Sequence, residues 1–299
     1  MFNRRCSVGL MGALALAGAA LAPRAASAQE AHGYGISQFG ASGQCGSSDQ
    51  THDVHTVSTA NFLLPFTMMA AQGRWTQSIQ RNDMAARGSY FTDASKTATC
   101  SCVADDLRTD YGADEADVIF VHTHGGRTTT APYFTSLLMG NSTYDCRVRT
   151  NENMLFGNGA GDLDIAVVKA CQSGDYNVWR NGGYRQQITT PSSSFTMWNA
   201  FHGDSSCGGH VASYALLYSI SSENDGVGEN WIDAAYYDSD DANDDDCPVS
   251  IVMGASSSAR EHMYEYGGWN DRENTGSKTG STYFYIPGCD PSNGVVLPD

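Results

Sequence analysis

Basic residues are scarce: 17 Lys+Arg stand against 33 Asp+Glu, for a net charge of −16. Nucleic-acid binding is driven by cations that displace counterions from phosphates, so this balance argues against it. It argues equally against an anionic membrane surface. Proline is also sparse, with 8 residues against 32 glycines, which suggests many tight turns without a collagen-like period. No GxSxG elbow and no P-loop occur, so serine-hydrolase and NTPase chemistry have no motif support. No HExxH occurs, and no repeated CxxC, which argues against a structural zinc site. No apolar run reaches the roughly 20 residues of a membrane span. The hydrophobic fraction of 41% is nevertheless enough for a packed core, and the length fits one large α/β domain or two small ones.

The first 28 residues read as an export signal. Arg4 and Arg5 precede an apolar run from Val8 to Ala22, and Ala26-Ser27-Ala28 supplies small residues for cleavage after Ala28. Residues 29–299 are then the exported domain, periplasmic or extracellular. No lipid-attachment cysteine follows the run, since Cys6 lies before it. Export places the eight remaining cysteines in an oxidising space. They are Cys45, Cys100, Cys102, Cys146, Cys171, Cys207, Cys247 and Cys289. Either all eight form four disulfides, or one is withheld as a nucleophile and at least one more stays free. Cys100-Ser101-Cys102 is spaced too tightly for a comfortable mutual bridge, so each is expected to pair elsewhere.

Residues 29–60 are polar and aperiodic, an irregular lead-in with room for one short strand. The runs Phe62-Leu63-Leu64 and Met68-Met69-Ala70-Ala71 suit a helix within 61–90, and 102–111 suits a shorter one. Three continuous apolar runs follow: 117–121, 163–168 and 249–254. Such runs suit strands buried on both faces, as in a parallel sheet. Helical patterns at 208–219 and 229–237 separate the second from the third. Alternating strands and helices imply an α/β fold, a three-layer α/β/α sandwich with a mainly parallel central sheet. Residues 267–299 form a Gly- and Asn-rich extension with one strand candidate at 283–286.

The first run ends in His122-Thr123-His124-Gly125-Gly126 and the second in Lys169-Ala170-Cys171-Gln172-Ser173-Gly174. Sites in open α/β sheets lie outside the carboxyl ends of the strands. If these two strands are parallel neighbours, His124 and Cys171 share that edge. An imidazole can then favour the thiolate and later protonate a leaving group. Gly125 lets the backbone approach a substrate, and the Gly125 and Cys171 N–H groups are natural donors to an oxyanion.

This order resembles the caspase–legumain–gingipain group of cysteine peptidases, in which one apolar block leads to His-Gly and a second to Ala-Cys. The 47-residue gap from His124 to Cys171 is of the kind the group uses, and Ala170-Cys171-Gln172-Ser173-Gly174 is close to the legumain form. The segment from Met197 to Gly203 resembles uncharacterised exported bacterial proteins of the same apparent fold. The resemblance spans roughly residues 115–260. It implies a caspase-like sheet, a nucleophile Cys171, a general acid/base His124 and a peptide or protein substrate cleaved through an acyl-enzyme. An amine could capture the same acyl group, giving a transpeptidase. The acidity favours a basic substrate side chain, with Asp164 and Asp175 as candidate floor residues.

Other readings stand beside this one. On the same fold, a non-catalytic binding domain would hold Cys171 in a disulfide. A metal-dependent hydrolase would use His122 and His124, with His202 or His210. The preferred reading of His122 is packing or hydrogen bonding beside the dyad. The aspartates from Asp238 to Asp246, with Asp240, Asp244 and Asp246 as candidate ligands, suit a solvated loop better than a calcium loop, because the EF-hand glycine and glutamate are missing. No cofactor is expected.

Overall fold

The computed structural model describes residues 29–206, 210–221, 226–236, 246–269 and 275–299. Ten strands are β1 (Glu30–Gly35), β2 (Gln77–Asn82), β3 (Val118–His122), β4 (Gly125–Arg127), β5 (Thr135–Leu138), β6 (Arg147–Arg149), β7 (Ile165–Lys169), β8 (Met197–His202), β9 (Cys247–Gly254) and β10 (Gly280–Tyr285). The helices are α1 (Val54–Ala71), α2 (Thr97–Cys100), α3 (Tyr176–Gly182), α4 (Tyr184–Ile188), α5 (His210–Ser221), α6 (Val227–Tyr236) and α7 (Ser257–Tyr266).

Seven strands form the central sheet in the order β10-β9-β8-β7-β3-β1-β2. The pairs β2–β1, β1–β3, β3–β7 and β7–β8 are parallel. In β3, Val118 and Phe120 face one core and Ile119 and Val121 the other, which is why the run has no polar alternation. One face is covered by α1, α5, α6 and α7, through Phe62, Phe66, Tyr218, Trp231 and Met263. The other face is covered by α3, α4 and the small antiparallel sheet β4-β5-β6, through Val178, Tyr184, Ile188, Leu137 and Val148. The result is a three-layer α/β/α sandwich with a mainly parallel sheet, consistent with a caspase-like arrangement.

Several expectations need correction. The third apolar run, β9, is antiparallel to both its neighbours. A strand buried on both faces has the same composition whichever way it runs, so its direction is not encoded in the run. The helix placed in 61–90 begins earlier, at Val54, and ends at Ala71. The following segment supplies the polar edge strand β2. The lead-in does hold the one short strand allowed for it, β1, but that strand lies inside the sheet between β2 and β3. Its Gly35 has no room for a side chain: a Cβ there would lie 2.8 Å from the Thr56 backbone of α1.

Residues 102–111 contain no helix. Cys100 and Cys102 pair with each other, because Ser101 takes a left-handed conformation (φ 56°, ψ 33°) that turns the chain back and sets the Cα atoms 5.2 Å apart. Two further disulfides join Cys45 to Cys146 and Cys247 to Cys289. Residues 1–28, Cys207 and the run from Asp238 to Asp245 lie outside the described residues. Among the described residues no helix is long and apolar enough to cross a membrane.

Candidate active site

The site is set by the β3–β7 register. His122 lies opposite Lys169, and the Thr123 N–H donates to the Lys169 carbonyl at 3.2 Å. The His124-Gly125 and Ala170-Cys171 segments therefore leave the carboxyl edge side by side. They meet closely at Gly125, where a Cβ would fall 2.0 Å from the Cys171 carbonyl oxygen and 3.1 Å from the Ala170 Cβ. A glycine after His124 is thus a packing requirement of this edge.

Cys171 is a half-buried free thiol. The Ser205 N–H donates to its Sγ at 3.4 Å, and the thiol donates to the Ser205 carbonyl at 3.7 Å. Among the described residues no acceptor engages the Cys171 N–H. The next residue, Gln172, has φ 58°, the strained left-handed region for a side chain of its size. Its N–H is tied to the Gly203 carbonyl at 2.5 Å, so the loop after β7 is held by the loop after β8.

His124 sits in an aromatic nest, with ring centroids 5.1 Å from Phe39, 5.3 Å from His52 and 5.5 Å from His55. Its Nε2 donates to the Gln50 carbonyl at 2.7 Å, which puts the lone pair of the neutral ring on Nδ1. Burial lowers its pKa, partly opposed by that carbonyl, so the ring is a neutral base at pH 7. No hydrogen bond joins His124 to Cys171 among the described residues. Beneath it, His122 is buried, shares a 2.5 Å hydrogen bond with Ser58 Oγ and packs against His55 with ring centroids 4.0 Å apart. Burial drives both down: His55 to about 3, and His122 well below the usual imidazole value. His122 therefore packs and hydrogen-bonds as the sequence reading preferred.

The remaining nominated residues scatter. Asp175 lies at the correct edge but is fully buried, ion-paired with Arg127 and 3.4 Å from His202 Nδ1. Burial raises its pKa, but His202 and the Arg127 guanidinium outweigh that and hold the carboxyl below its ordinary range. Asp175 also caps α3 by accepting from the Val178 N–H at 3.1 Å. Its charge is matched internally, and it does not present a free floor to a basic substrate. Asp164 precedes β7, and its carbonyl accepts from the Thr196 and Met197 N–H groups. That is the amino edge of the sheet, opposite Cys171.

His202 is held by the Val295 carbonyl at 2.7 Å and by Asp175, apart from the His122–His124 nest, so these three histidines have no shared ligand position. The side chain of His210 is not described. Of the calcium candidates, Asp240 and Asp244 lie outside the described residues. Asp246 is bound to Lys169 at 3.4 Å and accepts from Ser206 N–H and Oγ–H at 2.6 and 2.7 Å. A cavity of about 350 Å³ lies at the end of α3, lined by Trp179, Gly183, Gln186 and Ser281 among others. None of the nominated residues lines it.

Gln50, His52, His55, Ser58, Arg127 and Ser205 were not singled out from the sequence. Only His52 and His55, three apart at a helix start, left a readable signal. Comparison with known protein families and with curated proteins finds no match for this chain.

Proposed function

We propose that the chain is an exported cysteine hydrolase, an endopeptidase acting through Cys171 and His124. One observation carries this reading. The free thiol that ends β7 stands directly beside the His124-Gly125 segment that ends β3, close enough for Gly125 to abut the Cys171 carbonyl. The three disulfides are compatible with export.

In this mechanism His124 keeps its Nε2–H on the Gln50 carbonyl and takes the thiol proton on Nδ1. The thiolate attacks a peptide carbonyl, and the Cys171 and Gly125 N–H groups receive the negative charge that develops on oxygen. The imidazolium gives its proton to the leaving amine. Water, deprotonated by the same ring, then cleaves the thioester and regenerates the thiol. The depressed pKa of His124 suits the first step, which needs a neutral base at pH 7.

A binding domain without catalysis is the second reading, and two observations favour it. No hydrogen bond joins His124 to Cys171 among the described residues, and Cys171 Sγ lies beside Ser205, two residues before Cys207. With six cysteines paired, a Cys171–Cys207 bridge would complete a fourth disulfide. Alkylation of the natively folded, unreduced protein with iodoacetamide, followed by peptide mapping, separates the two. Fast labelling of Cys171 that slows in His124→Ala supports the hydrolase. Recovery of Cys171 in a peptide disulfide-linked to Cys207 ends it.

A further inference from the structure

We propose that Glu30, His32 and Glu115 form a binding site for one divalent transition-metal ion of the zinc class, at the amino edge of the sheet. Glu30 and His32 lie on β1 and Glu115 precedes β3, so the site is at the opposite end of the strands from Cys171. One ligand atom from each residue lies within 4.8 Å of the others.

The imidazole is oriented as a ligand. His32 Nδ1 donates to the Gly112 carbonyl at 3.0 Å, which fixes the tautomer and leaves a lone pair on Nε2. A backbone carbonyl behind the ring is the usual support of a metal-binding histidine. The side chain is 1% exposed, and Nε2 has no hydrogen-bond partner. Instead it faces carboxylate oxygens of Glu30 and Glu115, each at 3.7 Å. That distance is too long for a hydrogen bond. It is close to the ~3.4 Å that separates two ligands held about 2.1 Å from a tetrahedral zinc.

The carboxylates are prepared in the same sense. Glu115 Oε2 is buried without a hydrogen-bond partner, while Glu30 Oε2 is positioned by Gln77 Nε2 at 2.7 Å. One imidazole with two carboxylates selects against calcium and magnesium, which take oxygen ligands, and suits zinc, manganese or cobalt. Three protein ligands leave a position for water. Glu30 and Glu115 are 12% and 24% exposed, which gives the ion a way in. Bound there, it would tie β1 to the segment that leads into β3.

The test uses the full chain carrying Cys171→Ala, so that the thiol cannot ligate the metal and the outcome is independent of the hydrolase reading. Titration with Co²⁺ is expected to give one equivalent of bound ion with visible absorption, displaced by Zn²⁺. Zn²⁺ about a hundredfold above its Kd is expected to raise Tm by roughly 5–10 °C. Adding His32→Gln or Glu115→Gln should each weaken Zn²⁺ binding at least tenfold. Glu115 is partly exposed, so its variant is informative even if the buried His32 variant folds poorly. The site is overturned if no stoichiometric ion binds, if Glu115→Gln leaves the affinity unchanged, or if Ca²⁺ binds and Zn²⁺ does not.

Discussion

Gly125→Ala against Gly126→Ala is the sharpest test of the carboxyl edge. At Gly125 a Cβ would sit 2.0 Å from the Cys171 carbonyl oxygen, so the two segments must part by about 1 Å to reach the 3.0 Å that Cβ atoms keep. The obstacle is backbone, fixed by the β3–β7 register, and cannot rotate away. Overpacking of this kind costs about 1–3 kcal/mol, which for a domain of this size lowers Tm by roughly 2–12 °C. At Gly126 the nearest atoms are Ser136 Oγ at 3.6 Å and Arg147 Nη1 at 3.9 Å, which is ordinary contact. That substitution should stay within about 0.5 kcal/mol of wild type. The two variants differ by one position and nothing else in chemistry. If the edge also carries the dyad, a 1 Å misplacement is worth up to about a hundredfold in rate, so Cys171 alkylation should slow in Gly125→Ala alone. Thermal melts read the first effect and iodoacetamide kinetics the second. Equal melting temperatures for the two variants would refute the packing argument, and equal alkylation rates would detach the packing from the chemistry.

Two further outcomes follow from buried charge. Asp175→Asn keeps the cap on α3 but leaves the Arg127 guanidinium, 11% exposed, without its anion. The expected loss is about 3–5 kcal/mol in urea unfolding, and a loss below about 1 kcal/mol would show that the pair is not holding the loop after β7. His55 is held neutral to about pH 3, whereas an unfolded histidine protonates near 6.5. The unfolded chain takes up the proton first, so this contribution is intact above about pH 6.5 and is lost as pH falls towards 3, by at most about 5 kcal/mol. Comparison of urea midpoints at pH 7.5 and 4.5 should show a smaller drop for His55→Gln than for wild type; an identical drop in both would contradict the assignment.

What could be read from the chain depended on how each strand is buried. β3, β7 and β9 are covered on both faces and therefore appear as apolar runs. β8 is equally buried but carries Asn199, whose Nδ2 donates to Tyr218 Oη, and His202, whose ring meets the Tyr176 N–H and the Val295 carbonyl. Buried polar side chains with distant partners look like loop residues in one dimension. β1 holds two glycines where α1 crosses closely, and β2 is a polar edge, so neither announced a strand. Cys171 and His124 were legible because each directly follows a buried run in register with the other. Their surroundings were not: Gln50 and His52 reach His124 from the loop before α1, and Ser205 reaches Cys171 from the loop after β8. The Glu30–His32–Glu115 cluster was invisible for the same reason, since β1 and β3 are brought together only by the sheet.

The interior position of β1 also governs the order in which the molecule can be built. β1 and β2 are joined through α1, and Gln77 meets Glu30 across only 47 residues, so this unit can close early. The other edge of β1 must wait for β3, where the Glu30 N–H meets Asp117 across 87 residues. Until then a central strand is an open edge, which is the surface on which chains pair wrongly with one another. Pairings of such long span pay their closure entropy before any contact forms and are slow. The Cys45–Cys146 bond closes 101 residues of an overlapping interval. If formed early, it shortens that search, and refolding with this bond already closed should leave β1 unpaired for the least time and lose the least protein to aggregation.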